Sequence, residues 1–239
     1  MSAKTQRLDK FLTATTDLTR SLAKKVLHRG EVTVNGEVVK NAAQQIQPTD
    51  KVSWLDEPLE LVGLRYIIMH KPLGYECSNK SSHNPLVTDL LEGLVNKERV
   101  QPVGRLDVNT SGLLLLTDDG QWLHRIISPK YRKAKVYRAS LAEPLVADAE
   151  ARIAEGLQLD GEEQLTLPAT LKRLTSQLVH LTLTEGRYHQ VRRMFAALGN
   201  HVEALHREAV GNLWLDENQL EPGQWRELTE AEMALIAEK

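Results

Sequence analysis

The chain has one cysteine, Cys77, which excludes an intramolecular disulfide and any cysteine-rich zinc cage. Long hydrophobic runs are also missing. The longest purely aliphatic stretch is Leu113–Leu116, far short of the roughly 20 residues that a membrane-spanning helix needs. Lys4, Arg7 and Lys10 lie near the start, but no apolar stretch follows them, so no secretory signal is expected. These absences predict a reducing, cytoplasmic setting and no membrane partner. The phosphate-binding loop G-x-x-x-x-G-K-[ST], the dinucleotide fingerprint G-x-G-x-x-G, the zinc-protease helix H-E-x-x-H and the nucleophile elbow G-x-S-x-G do not occur. The chemistries tied to those motifs are therefore excluded. His201 and His206 are among eight histidines, but no acid or cysteine pattern completes a cage around them. No bound metal is expected.

What remains has globular proportions, with 239 residues, 41% hydrophobic and 26% charged. A chain of this size can bury about 70–75% of its unfolded surface without a covalent staple. Thirty basic residues against 32 acidic ones give a formal charge of −2, yet the charge is segregated. Lys4, Arg7, Lys10, Arg20, Lys24, Lys25, Arg29 and Lys40 face only four acids in residues 1–40. Arg125, Lys130, Arg132, Lys133, Lys135 and Arg138 fall in residues 121–140, which contain no acid. Segregation of this kind produces a local positive field on a nearly neutral protein, while a single charged run is more often a solvated face.

The first sixty residues read as a compact module. Leu8, Phe11 and Leu12 have helical spacing within Arg7–Ala14. Thr19 is a candidate N-cap for a second helix from Arg20 to about Arg29, stopped by Gly30. That helix turns Leu22, Val26 and Leu27 to a core and carries Arg20, Lys24, Lys25 and Arg29 outward. Asn35-Gly36 between two alternating segments predicts a tight hairpin. Lys51–Leu55 predicts a further strand, and residues 56–60 a linker. The segments Arg7-Leu-Asp-Lys-Phe-Leu, Thr19-Arg20-Ser21, Gly30-Glu-Val-Thr-Val-Asn-Gly36 and Asp50-Lys-Val together resemble the S4 domain. That resemblance implies an RNA-binding module over residues 1–58, docking through phosphates rather than reading bases.

From Arg65 onward, strand-like segments at Tyr66–Met69, Leu113–Thr117, Val136–Leu141 and Leu178–Leu183 alternate irregularly with helices. The helices are expected at Leu145–Glu155, Tyr188–Leu198 and from a Thr229/Glu232 capping box to Glu238. The absence of a βαβ rhythm predicts an α+β fold with a mixed, largely antiparallel sheet over residues 62–239. The most informative stretch is Gly104-Arg105-Leu106-Asp107 followed by Thr110-Ser-Gly-Leu-Leu, a polar loop feeding a buried strand. Read alone, Asp107 is better explained as a turn cap than as a catalytic group, and Asp118 and Asp119 read as turn and N-cap residues.

Taken together, Gly104–Leu114, His70-Lys71-Pro72-Leu-Gly74-Tyr, Lys135-Val136-Tyr137 and Glu185-Gly-Arg-Tyr-His-Gln-Val-Arg192 resemble the ordered motifs of pseudouridine synthases. The resemblance implies Asp107 as the catalytic carboxylate, Tyr137 as an aromatic partner for uracil, and Arg192 as the ion-pair partner of Asp107. Arg105, Lys71, Lys130, Arg132, Lys133 and Lys135 are then candidate RNA contacts. The subgroup most resembled acts on uridine 516 of 16S ribosomal RNA. A small-subunit assembly intermediate is accordingly the expected partner, with the protein acting as a monomer and without a cofactor. Two other readings stand beside it, a synthase for 23S ribosomal RNA or tRNA and a non-catalytic S4-type ribosome assembly factor.

Overall fold

The structure is a computed structural model that describes residues 5–60, 63–78 and 83–237. It divides into two compact units, Met1–Leu64 with Gly93–Arg99, and Arg65–Glu92 with Val100–Lys239. Residues 93–99 fall outside the first module in the sequence reading. They join it because Asn96 Nδ2 and Arg99 Nη1 donate to the Ala14 carbonyl at 3.3 and 3.4 Å.

The first unit runs β1 (Gln6–Arg7), α1 (Leu8–Thr15), α2 (Arg20–His28), β2 (Val32–Val34), β3 (Glu37–Val38), β4 (Gln45–Ile46), β5 (Val52–Trp54) and β6 (Glu57–Leu59). Thr19 Oγ1 accepts from Leu22 N and starts α2, which ends where Gly30 takes φ +75°. Leu8, Leu12, Ala23, Val26 and Leu27 pack with Val32 and Val52 in one core. Leu22 is exposed at 44%, against expectation. Ala23 sits at i−3 and i−4 from Val26 and Leu27, so it, and not Leu22, centres the buried stripe. Asn35 and Gly36 both take positive φ, 54° and 86°, as a type I′ turn demands. Residues 56–60 are not a linker. Leu55 and Asp56 turn at positive φ, and β6 folds back antiparallel on β5. Pro58 is tolerated because β6 lies at the sheet edge.

The second unit runs β7 (Tyr66–Lys71), β8 (Gln101–Pro102), β9 (Ser111–Thr117), α3 (Gly120–Ile127), β10 (Lys135–Leu141), α4 (Ala149–Glu155), β11 (Thr170–Arg173), β12 (Leu178–Leu183), α5 (Gln190–Ala197), β13 (Val202–Val210), β14 (Leu213–Trp214), β15 (Trp225–Glu227) and α6 (Glu230–Ala237). The expected α+β architecture is present. The main sheet has the order β11-β12-β10-β13-β9-β7-β15, with β14 added to β13 and β8 to β9. Its pairs are antiparallel except β13–β9, which is parallel. α4 begins at Ala149 and not at Leu145, and α5 begins at Gln190, after His189 in the left-handed region. Thr229 and Glu232 cap α6 reciprocally through Glu232 N to Thr229 Oγ1 and Thr229 N to Glu232 Oε2; Glu238 lies outside the described residues. Asp119 caps α3 as expected, whereas Asp118 does more than turn the chain, accepting from Arg65 N and Nε at 2.7 and 2.8 Å. Among the described residues no helix is long and apolar enough to cross a membrane.

Two apolar clusters flank the parallel pair. One gathers β10, β12, α4, α5 and the start of β13 around Phe195 and Met194. The other gathers β7, β9, α3 and α6 around Leu113, Leu115, Trp122 and Ile236. They meet where β9 and β13 align His206 with Ser111 and Arg207 with Gly112. Gly112 has φ +112°, and a Cβ there would stand 2.2 Å from the Arg207 carbonyl oxygen. Gly112→Ala should therefore lower stability by roughly 2–5 kcal/mol. Chemical denaturation measures this, and an unchanged midpoint would mean that the two backbones do not meet at this position.

Candidate active site

Asp107 lies on the loop between β8 and β9, and several bonds fix that loop before any ligand arrives. Thr110 N donates to the Asp107 carbonyl at 3.0 Å and Gly74 N to the Val108 carbonyl at 2.9 Å. Beneath it, Lys71 Nζ donates to the carbonyls of Thr110 and Pro72 at 2.8 and 3.0 Å. Leu106 N points to Cys77 Sγ, and burial pushes that thiol's pKa up. The loop thus carries its carboxylate to the wall of a cleft of about 1240 Å³. Asp107, Tyr137, Arg105, Lys133, Lys135, His189, Arg192 and Arg207 all line it.

Asp107 is 37% exposed at its side chain, and its closest basic partner is His189, Nε2 to Oδ1 at 3.5 Å. His189 reaches it because it takes φ 47° at the start of α5. Its ring stacks on Tyr188, centroids 3.9 Å apart and planes 16° from parallel. Tyr137 is half-buried, with one side on the α4–α5 core and the other on the cleft. Glu185, another carboxylate in the cleft, is fully engaged by Leu167 N, Gln190 Nε2 and Arg187 Nε. That leaves Asp107 as the more available acid.

The cleft is cationic. Arg207 is only 2% exposed; its Nε donates to the Leu113 carbonyl at 2.8 Å, and its Nη2 is buried without a partner among the described residues. Burial, with Arg207 adding to it, lowers Lys135 to a pKa of about 8. Burial likewise lowers Lys71, with Asp107 and Cys77 opposing the shift. Arg105 is exposed and makes no hydrogen bond or ion pair among the described residues.

Two expectations need correction. Lys71 is completely buried and spends its ammonium on the carbonyls of Thr110 and Pro72, which leaves it no exposed N–H for a phosphate. Arg192 does not pair with Asp107: its Nη1 and Nη2 donate to the carbonyls of Val202 and Asn109 at 2.8 and 2.9 Å. A planar guanidinium has several donors in a fixed fork, and here two of them tie the loop to the start of β13. Lys133 and Lys135 line the cleft, while Lys130 and Arg132 are exposed and outside its lining. Arg20, Lys24 and Lys25, exposed on α2, and Arg29, exposed just past its end, belong to the first unit, Arg29 being held by Glu31. Sequence reasoning missed Tyr188, His189 and Arg207. The first two stand inside the quoted Glu185–Arg192 motif, where a tyrosine–histidine pair was the available signal. Nothing in the sequence marks Arg207 as buried.

A match to the family described as RNA pseudouridylate synthase spans residues 65–197, and an S4 domain match spans residues 6–52. With an acidic loop in a cationic cleft on this sheet, the chain belongs to the RNA pseudouridylate synthases, isomerases that rearrange uridine without adding or removing atoms. Among its relatives is ribosomal small subunit pseudouridine synthase A of Vibrio cholerae, 50% identical over 230 residues, 96% of this chain and 99% of that one. The protein of the same description from Escherichia coli is 45% identical over 231 residues, again 96% and 99% of the two chains. A crystal structure described as pseudouridylate synthase superposes with a TM-score of 0.69 at 44% identity, covering 96% of this chain and 99% of that one.

A desolvated ammonium such as Lys135 is costly to the fold. Its folded pKa lies below the unfolded value, so the cost is complete below about pH 8 and fades as pH rises towards the ordinary lysine value. Lys135→Met should gain about 2–4 kcal/mol at neutral pH, shrinking at alkaline pH, while losing activity on RNA. Urea titrations at neutral and alkaline pH measure the first effect and turnover assays the second.

Proposed function

We propose that this chain converts uridine 516 of 16S ribosomal RNA to pseudouridine, with Asp107 as the reacting carboxylate. The reaction breaks the N1–C1′ bond, turns the uracil within the cleft and joins C5 to C1′. One proton leaves C5 and one is gained at N1. Nothing is oxidised and no group is lost, so the balance asks for no cofactor. The observation that carries the reading is Asp107 on a pre-braced loop, half-exposed and 3.5 Å from His189, at the wall of a cleft roofed by Tyr137 and cations. Curated relatives at 45–50% identity bear a small-subunit description, which supports the ribosomal target.

In this reading Tyr137 stacks on the detached uracil. Arg192 acts as a positioning residue, holding Asn109 and with it the loop that carries Asp107. Extruding a uridine from folded RNA costs a few kcal/mol, and Arg105, Lys133 and Lys135 offset that cost at the cleft through phosphates. Lys130 and Arg132 extend the grip outside it, and Arg20, Lys24, Lys25 and Arg29 of the S4-like module, residues 1–58, dock on neighbouring RNA. The catalytic domain then falls within residues 62–239, without residues 93–99, which belong to the first unit. The protein acts as a monomer in the cytoplasm, on an assembly intermediate of the small subunit.

Asp107→Asn keeps the side chain's shape and removes its charge. It should abolish tritium release from RNA labelled at uridine C5 while leaving RNA affinity within a few-fold, and full turnover by this variant ends the proposal. Carbodiimide mapping of ribosomal RNA from cells lacking the protein should show position 516 unmodified, and modification there without it would reassign the target. Replacing Lys130, Arg132 and Lys133 together by alanine should weaken RNA binding and reduce the slope of log affinity against log salt by about 2–3. An unaltered slope would place the phosphate contacts elsewhere.

A further inference from the structure

Successive residues of a strand point to opposite faces of its sheet. On β7 and β13, Lys71 and Arg207 are on the face of the catalytic loop, which puts their neighbours His70 and His206 on the other. The two imidazoles meet there edge to face, centroids 5.3 Å apart. Glu217, on the segment after β14, brings a carboxylate to the same place, Oε1 being 3.7 Å from His206 Nε2. One ligand atom from each of His70, His206 and Glu217 lies within 4.8 Å of the other two.

We propose that these three side chains form a binding site for a divalent transition-metal ion, Zn²⁺ being the ion whose chemistry fits best. The tautomers favour it. His70 Nδ1 lies 2.8 Å from the Leu220 carbonyl, which can only accept, so Nδ1 carries the proton and Nε2 presents a bare lone pair. His206 Nδ1 lies 2.9 Å from Ser111 Oγ, and its Nε2 is buried with no hydrogen-bond partner among the described residues. An unpartnered buried nitrogen is a cost to the fold that a metal bond removes. Ring nitrogens held from behind by a carbonyl or hydroxyl are the usual outer support of metal-binding histidines. Two imidazoles and a carboxylate, with a further position open, make a donor set suited to zinc.

The geometry asks for one adjustment. Ligand atoms around a tetrahedral zinc stand roughly 3.3 Å apart, given bonds of about 2.0–2.1 Å. Glu217 is 46% exposed and can supply that closure. Arg138 Nη2 also holds Glu217 Oε1, at 3.0 Å, and Glu208, 3.3 Å from its Nη1, balances that positive charge. His206 borders a second cleft of about 670 Å³, which gives a hydrated ion a way in.

The test uses the full-length protein, stripped with chelator and titrated with Co²⁺ and with Zn²⁺. One equivalent of Co²⁺ should bind with the visible absorption of a low-coordinate site, and Zn²⁺ should displace it and raise the melting temperature. Glu217→Gln, an exposed change that the fold tolerates, should weaken binding at least about tenfold, and His70→Asn or His206→Asn should abolish it. His201→Asn should leave it intact. Absence of saturable binding overturns the proposal, as does binding that survives Glu217→Gln and either histidine variant unchanged. Should a histidine variant fail to fold by circular dichroism, Glu217→Gln decides alone.

Discussion

The near-contact of two backbones, at Gly112 and Arg207, is the constraint on which the catalytic unit depends. Among the described residues the sheet contains one parallel junction, β9 against β13, with two residue pairs in register. Separate apolar clusters stabilise the strands on either side of it. Only a residue without a Cβ lets β9 come this close. The approach in turn lets Arg207 Nε reach across to the Leu113 carbonyl. The loop that carries Asp107 enters β9 immediately before that glycine, so the joint between the two half-sheets also fixes where Asp107 stands.

Electrostatics follow from the same joint. Lys71, Lys135 and Arg207 crowd positive charge beneath and beside a half-exposed carboxylate. Each buried cation donates to a main-chain carbonyl, which anchors it without cancelling its charge. The field of the cleft is therefore built into the scaffold, in contrast to the surface pairs elsewhere on the protein, which solvent screens and which contribute little.

Much of this was legible in the sequence. The Thr19 cap, the Asn35-Gly36 turn, the strands read at 66–69, 113–117 and 136–141, each one or two residues shorter than observed, and the α+β class all follow from local patterning, because period and turn chemistry are local properties. Asp107, Tyr137 and Arg192 converge on one cleft, as the ordered motifs imply. Failures cluster where a residue's state is set by distant neighbours. Lys71 reads as a surface cation until the Thr110 carbonyl captures it across the sheet. Arg192 reads as a counter-ion until the carbonyls of Val202 and Asn109 take its fork. Residues 56–60 read as a linker because proline and acids interrupt their pattern, yet an edge strand accommodates both.

The alternation along β7 and β13 carries an evolutionary consequence. Drift in the length of surface turns leaves the chemistry untouched, since both strands are clamped by their ladders. A single codon gained or lost inside β13 is another matter. Where no bulge absorbs it, every side chain beyond it would change sides, exporting the guanidinium of position 207 and importing an imidazole beneath the loop that carries Asp107. Lineages descending from this protein can therefore vary these strands by replacement but hardly by insertion or deletion.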